Sequence, residues 1–472
     1  MAVLAEDHTD QLVTRRRSIP IWVALLAASL PMFMATLDNL VMTSALPVIQ
    51  RDLDASVGQL QWFLNAYTLV FATFMLPAAT LGDRIGRKRT FIGGIVLFAL
   101  ASCASALSTS SEFLIIARAV QGLGAAAVMP LSLTLLASAV PASKRAMAIG
   151  IWGGVSGLGV ALGPVVGGAV VEGISWQAIF WINIPVAIVA IPLAYIALAE
   201  SRGNERVIDI RGTILLGGAV FLGIWGIVHG NDDGWGSLSV VSTLVAAALL
   251  IPAYVLHASR REDAVLPLRL FAFRGFSVAN IISLAFTVGM FGTVFLMSQY
   301  LQIVMGLSPL EAGIRTLPWT AAPMIVAPIA GILAPRVGFR ALLLVGLVLQ
   351  ALSLVWMASL TESASSYGAL VPALVMAGVG MGLTFAPSAS AVLHGMSDDD
   401  FAMATSANST IREFGVALGI AILAAVFLGA GGTLTPDGYD GAIGVALLVG
   451  AGAVSVAVIA AFFVPTGRTD GS

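Results

Sequence analysis

Charge is what this 472-residue chain has least of: Asp, Glu, Lys and Arg make up 10 % of it against 58 % apolar residues, and the mean hydropathy is +0.97. So little polar surface cannot cover a soluble globule of this size, so the solvent for most of the chain must be lipid. A single cysteine, Cys103, excludes an internal disulfide and a paired-thiol metal or redox centre. No basic stretch exceeds the Arg15-Arg16-Arg17 and Arg87-Lys88-Arg89 runs, and a formal net charge of -2 argues against nucleic-acid partners. No Gly-x-x-x-x-Gly-Lys-Ser/Thr loop occurs, which argues against P-loop ATP hydrolysis and leaves an ion gradient as the energy source, with no cofactor. His8, His229, His257 and His394 fall near predicted ends or loops and lack HExxH spacing, so neither a metal site nor an enzyme is expected. The apolar stretch after the first arginines has no small-residue cleavage site and reads as a first span rather than a signal.

What is present is a series of apolar runs, each near the ~20 helical residues that a bilayer core requires. They fall at 21–46, 57–79, 90–108, 112–138, 145–171, 178–199, 210–229, 237–258, 275–303, 313–334, 341–359, 366–390, 405–430 and 442–463. The fold class is therefore all-α integral membrane with fourteen spans, and the 50 glycines suit close helix packing in lipid. With the N-terminus inside, nineteen of the 23 basic residues fall on inner segments, from Arg15 to Arg468, and the outer loops hold only Arg51. Retention of bases on the cytoplasmic side then places both termini in the cytoplasm of a multi-pass cell-membrane protein.

An internal echo divides the chain. Ala79-Thr-Leu-Gly-Asp83-Arg84-Ile-Gly86-Arg87-Lys88 follows the second span, and Gly331-Ile-Leu-Ala-Pro335-Arg336-Val-Gly338-Phe-Arg340 follows the tenth. If these loops are equivalent, two six-helix bundles at 21–199 and 275–463 flank an insert of two helices with linkers at 200–274, between tails at 1–20 and 464–472. Internal repeats of this kind mark secondary transporters that rock about a midplane site.

An ionisable side chain at membrane depth costs about 2.5–3.5 kcal/mol even on a lenient scale, so each needs a reason. Asp38 lies eight residues from the outer end of the first run, and Arg118 six residues into the fourth. The two share a depth. Either Arg118 biases the protonation of Asp38, or the two form a permanent bridge that only fastens helices. Glu413, beside Arg412, lies near mid-membrane in the thirteenth run, unless that helix begins later and leaves the pair at the inner interface. Neighbours one residue apart point in different directions, so the two are not expected to cancel. One proton moved through 100 mV yields about 2.3 kcal/mol, enough to oppose a roughly fiftyfold substrate gradient. In the fifth span Gly159, Gly163 and Gly167 recur every four residues beside Pro164 and Gly168, a smooth face with a bend.

Together these motifs resemble the fourteen-helix drug:proton antiporter branch of the major facilitator superfamily, over nearly the whole chain. Leu37-Asp38 through Pro47 is similar to the branch's acidic first-helix motif, which implies proton coupling at Asp38. Leu81-Gly82-Asp83-Arg84-Ile-Gly86-Arg87-Lys88 resembles the inner-loop gating signature, departing from it at Ala79, where Gly is usual. The second copy has Pro335 where that signature has Asp, so no gating role passes to it. Arg118-Ala-Val-Gln121-Gly122-Leu-Gly124 resembles the fourth-helix motif associated with proton transfer, and Gly159 to Gly168 the antiporter motif that uptake symporters generally lack. Trp181-Ile-Asn183-Ile-Pro185 also fits the branch. The resemblance implies a monomeric, proton-driven exporter of amphipathic organic compounds such as drugs or antibiotics. A carrier of one metabolite on the same fold, or a non-transporting membrane sensor, are the alternatives. Candidate polar contacts for cargo are Gln61, Asn65, Gln121, Gln299 and Gln302.

Overall fold

In a computed structural model the chain is helical throughout, with residues 20–203, 207–261, 263–361, 366–393, 396 and 398–465 described. Arg15, Arg16, Arg17, Arg206, Arg468, His8 and His394 lie outside the described residues, as does most of each tail. The N-terminal helices are α1 (Ile21–Leu53), α2 (Val57–Ile85), α3 (Arg87–Ala106), α4 (Ser111–Ala139), α5 (Arg145–Gly173), α6 (Ala178–Trp181) and α7 (Asn183–Ala197). Then come α8 (Ile210–His229) and α9 (Leu238–Ala258). The C-terminal set is α10 (Arg274–Ile303), α11 (Pro309–Thr320), α12 (Ala322–Val337), α13 (Phe339–Thr361), α14 (Tyr367–Leu393), α15 (Asp398–Gly429) and α16 (Pro436–Ala461). Among the described residues, 14 spans are long and apolar enough to cross a membrane, with α6 and α7 sharing the sixth and α11 and α12 the tenth.

Both broken spans have a proline where the ladder fails. Pro185 has no N–H for the Trp181 carbonyl, and Pro323 none for Trp319, so each helix restarts at the break. Three helix ends correct the hydropathy limits: α1 runs on to Leu53, α11 starts at Pro309, and α15 starts at Asp398. Hydropathy ends where lipid ends, whereas a helix ends where something caps it. Gln50, Arg51 and Asp52 therefore continue α1 until Asp54 turns left-handed at φ 49° and Ser56 caps α2 through the Gln59 amide.

Within the N-terminal half α2 and α3 pack on α4, and α1 packs on α5 and α7; in the C-terminal half α10 packs on α15 and α16, and α13 on α14 and α16. The inserted pair α8–α9 touches both halves, because α8 lies against α2 and α15. Asp209 anchors that pair, accepting from the Gly212 and Val265 amides at 3.0 and 3.3 Å and from His257 at 2.8 Å. Burial pushes its carboxyl up, but those hydrogen bonds outweigh burial and hold it below the usual range.

The halves meet where α5 faces α11 and where α2 faces α15. The end of the bundle bearing Arg84, Arg87, Lys88 and Arg89 is here named the basic end. At the opposite end the α5–α11 seam is backbone on backbone: a Cβ on Gly168 would overlap the Pro309 carbonyl, and one on Gly313 the Pro164 carbonyl. Along the same face of α5, three turns toward the basic end at Gly157 and further on at Gly153 and Gly150, a Cβ would meet nothing within 4 Å. The halves are therefore shut at the far end and parted at the basic end. Gly168→Val adds roughly 1–3 kcal/mol of overpacking to the shut seam, so it should raise labelling of a lone cysteine at Leu310 by an impermeant maleimide about tenfold, in a Cys103→Ala background. Labelling at the wild-type rate would show that the seam is not closed by this contact.

Candidate functional site

The first and fourth spans do bring their charges together, and at greater depth than hydropathy implied. With α1 ending at Leu53, Asp38 lies fifteen residues from that end, or ~22 Å along the axis. Its Oδ2 accepts from Arg118 Nη1 at 2.5 Å, and the side chains are 1 % and 0 % exposed. Its Oδ1 accepts from Gln121 Nε2 at 2.9 Å and from Asn183 Nδ2 at 2.7 Å. Arg118 also donates through Nε to the Phe63 carbonyl at 3.1 Å and through Nη1 to Gln121 Oε1 at 2.7 Å, and its guanidinium lies 4.4 Å from the Tyr67 ring centroid. Asn183 Nδ2 and Gln121 Nε2 both reach Ser102 Oγ, at 2.9 and 3.4 Å, and Ser102 donates to the Phe180 carbonyl at 2.9 Å. Charge, amides and hydroxyl thus form one network drawn from six helices, which satisfies both carboxylate oxygens and leaves Arg118 Nη2 buried without a partner.

Asn183 and Ser102 were not among the site residues read from sequence. Asn183 carried a usable signal, since it is the one amide within the apolar run Trp181-Ile-Asn-Ile-Pro, whereas Ser102 in a serine- and alanine-rich helix carried none. The break at Pro185 makes Asn183 the first residue of α7.

Glu413 lies fifteen residues into α15, and its side chain is 12 % exposed. The reading that its helix starts later is excluded, because α15 starts earlier. Arg412 and Glu413, which leave the helix in different directions, still come within 3.8 Å at Nη2 and Oε1, a loose ion pair. A polar cluster nearby links α10, α14 and α15 through Asn280, Ser283, Ser388 and Asn408.

The five amides read as cargo contacts divide into two groups. Gln121 uses both its side-chain atoms inside the Asp38 network, and Gln302 spends its nitrogen on the Ser44 and Ser298 carbonyls. Gln61 and Asn65 are fully buried with neither side-chain atom partnered, as is Thr68 Oγ1 one turn on, and Gln299 Oε1 across the seam is also unpartnered. Gln299 and Gln302 line a far-end cavity of about 500 Å³.

At the basic end Gly86 joins α2 to α3 with φ +123°, and Gly338 joins α12 to α13 with φ +89°, the same device in both copies of the loop. Arg87 pairs with Asp83 at 2.7 Å, and Lys88 donates to the Tyr195 carbonyl at 2.5 Å; Arg84 is exposed. Gly159, Gly163 and Gly167 turn to α1, where added Cβ atoms would stand 3.3 Å from Thr36, 2.5 Å from Leu40 and 2.7 Å from the Val41 carbonyl. Pro164 does not break α5, and its carbonyl accepts from Ser44 at 3.1 Å.

A family model described as Major Facilitator Superfamily matches residues 28–420 and 279–471. The chain is 34 % identical over 418 residues to the tetracenomycin C resistance and export protein of Streptomyces glaucescens, covering 88 % of this chain and 78 % of that one. It is 35 % identical over 409 residues to the multidrug resistance protein Stp of Mycobacterium tuberculosis, covering 86 % and 75 %. In fold it is similar to an inward-facing, unoccupied bacterial homologue of the lysosomal transporter Spinster, with a TM-score of 0.66 at 16 % identity over 94 % and 97 % of the two chains.

Removing one partner from the Asp38–Arg118 pair strands the other charge. Arg118→Met is therefore expected to cost about 3–5 kcal/mol, and the double variant Asp38→Asn with Arg118→Met should recover much of it. Thermal unfolding of the purified variants measures the cycle; a double variant no more stable than Arg118→Met would mean that the pair is not coupled.

Proposed function

We propose, from the premise that this chain belongs to the Major Facilitator Superfamily, that it is a proton-coupled antiporter exporting amphipathic drugs or antibiotics across the cell membrane by alternating access. The observation that carries the coupling is Asp38, a carboxylate sealed at membrane depth against one cation and two amides. A group so placed changes its charge only if its surroundings change with it, which is what couples a proton to a conformational cycle. Glu413 is a second candidate in the other half. Export is supported by the resistance and export proteins to which the chain is similar and by the glycine-rich face of α5.

Retention of arginine and lysine makes the basic end cytoplasmic. The parted halves then admit cargo from the cytoplasm or inner leaflet while the far-end seam excludes the outside. In the opposite state the seam opens, cargo leaves, and an outside proton neutralises Asp38. The loop from Asp83 to Lys88 governs that exchange at the basic end. Gln61, Asn65 and Gln299 are the cargo contacts this reading favours, because opening the seam frees their unpartnered atoms to bond cargo or water. The proton gradient is the driver, one copy of the chain is the working unit, and no cofactor enters.

Inverted vesicles with an acid lumen, challenged with ethidium or tetracycline, test the reading. Wild type should dissipate the pH gradient on addition of compound, and Asp38→Asn should lose at least about tenfold of that response. A response unchanged in Asp38→Asn would move the coupling site to Glu413, and no response to either compound from well-inserted wild type would contradict broad export.

A further inference from the structure

We infer that outside protons reach Asp38 along a file of hydroxyls in the third span, Ser108, Ser105 and Ser102, behind the N-terminal half and apart from the seam through which cargo leaves. The inference rests on reading Asp38 as the proton site. Among the described residues α3 packs chiefly on α4, α7, α2 and α6, all within the N-terminal half, so it lies away from the α5–α11 seam. Residues three apart on a helix are neighbours about 5–6 Å apart, so the three serines step from the far end toward the buried network. Ser102 is the inner terminus: the Asn183 amide that bonds Asp38 Oδ1 also bonds Ser102 Oγ. Ser108 is the outer terminus. It stands two residues beyond the end of α3 and is itself 5 % exposed, its hydroxyl bonded to the Ser105 carbonyl at 2.7 Å, beside Leu107, which is 66 % exposed.

Ser105 is the informative member. Its hydroxyl is fully buried and has no partner, and Ser111 Oγ at the start of α4 is likewise buried and unpartnered. Serines in membrane helices ordinarily bond a carbonyl one turn back in their own helix, as Ser138 and Ser455 do here. An alanine would avoid the cost, and a buried orphan hydroxyl persists where an ordered water completes it. Water bonded between these hydroxyls passes a proton by exchange: each oxygen takes one proton from the outer side and gives one up inward. One proton is lost from outside water, one is gained by the Asp38 carboxylate, and no other bond changes.

The charged group bonded to Asp38 is Arg118 of α4, and Tyr67 of α2 lies against its guanidinium with its ring edge-on to Phe98 of α3. The file is latched in this conformation, because Ser102 gives its hydrogen to the Phe180 carbonyl of α6. Conduction needs that bond to open. It also needs the Asn183 amide, which donates to both Ser102 and Asp38 and relays no proton itself, to swing aside, so that Ser102 gives its hydrogen directly to Asp38 Oδ1 while taking one from the Ser105 side. This double latch prevents a leak while the halves are parted at the basic end.

Proteoliposomes with the far face outward, given an acid jump in the outer medium and followed with a pH indicator by stopped flow, test the file without any cargo. Wild type should show a proton-uptake phase that Asp38→Asn lacks, Ser105→Val should slow that phase about tenfold or more, and Ser105→Thr should keep it near the wild-type rate. A phase that persists in Asp38→Asn overturns the proton-site reading and the file with it. A wild-type rate in Ser105→Val, with Asp38→Asn silent, overturns the file alone. Ser105→Val that elutes and melts like Ser105→Thr establishes that the slowing is not misfolding.

Discussion

A guanidinium and a carboxylate placed together in the apolar interior set the terms for the rest of the N-terminal half. Coulomb attraction alone does not repay the desolvation of two such ions; the remaining lone pairs and protons must also be satisfied. Here that requirement draws in the Phe63 carbonyl from α2, Gln121 from α4, Ser102 from α3, the Phe180 carbonyl from α6 and Asn183 from α7. Each bond is short only if its helix holds register with the others. The half therefore behaves as one body, and shear between its helices would strand a buried charge. A rocking transporter needs bodies of this kind, since rotation can be transmitted only through something that does not itself yield.

The seam between the bodies obeys the opposite rule. Small residues at Gly168 and Gly313 let backbones touch without interlocking side chains, and few hydrogen bonds cross it. Among the described residues these include Ser298 to the Thr43 carbonyl, Gln302 to the Ser44 carbonyl and Thr320 to the Ala161 carbonyl, neutral and worth about 0.5–1.5 kcal/mol each, and the Leu310 amide to the Glu172 carboxylate at the exposed rim. The amides of Gln61 and Asn65 are buried without partners, a cost that any motion wetting them would relieve. A contact that is close but weakly bonded, and that buries polar atoms at a cost, can be opened by the modest free energy of one proton. α5 serves both rules at once: Gly163 and Gly167 fix it to α1 while its other face is free to part from α11.

Much of this was legible in the sequence because lipid imposes a harsh code. Apolar length located fourteen spans, and the rarity of intramembrane charge singled out Asp38, Arg118 and Glu413 before any geometry was known. What hydropathy could not resolve was where helices stop, since caps at Asp54 and Ser308 are polar features outside the lipid signal. Nor could it sort the amides. Gln121 and Gln61 look alike in sequence, yet one completes an ion-pair network and the other has no partner, a difference set by which helix face each occupies. Ser102 was obscured for the same reason: its importance lies in meeting Asn183 across α3 and α7, and meeting is a property of the fold.

The inserted helices give a last geometric constraint. α8 backs the second contact between halves, where Leu69 and Ala72 of α2 meet Phe414, Ala417 and Ala421 of α15 together with Ile224 and Val228 of α8. Asn231, just beyond α8, bonds the Ala425 carbonyl of α15 at 2.7 Å, and the Trp62 ring of α2 lies tilted against Phe221 of α8. Among the described residues no such backing lies behind the α5–α12 side, where Gly150, Gly153 and Gly331 face open space and Ile325, Ile329 and Ile332 are exposed. The two sides of the molecule are thus unequal, one braced by a third element and one bare. Rocking about the braced side would widen the bare one, so the mobile edge of the seam is the edge that no third element covers.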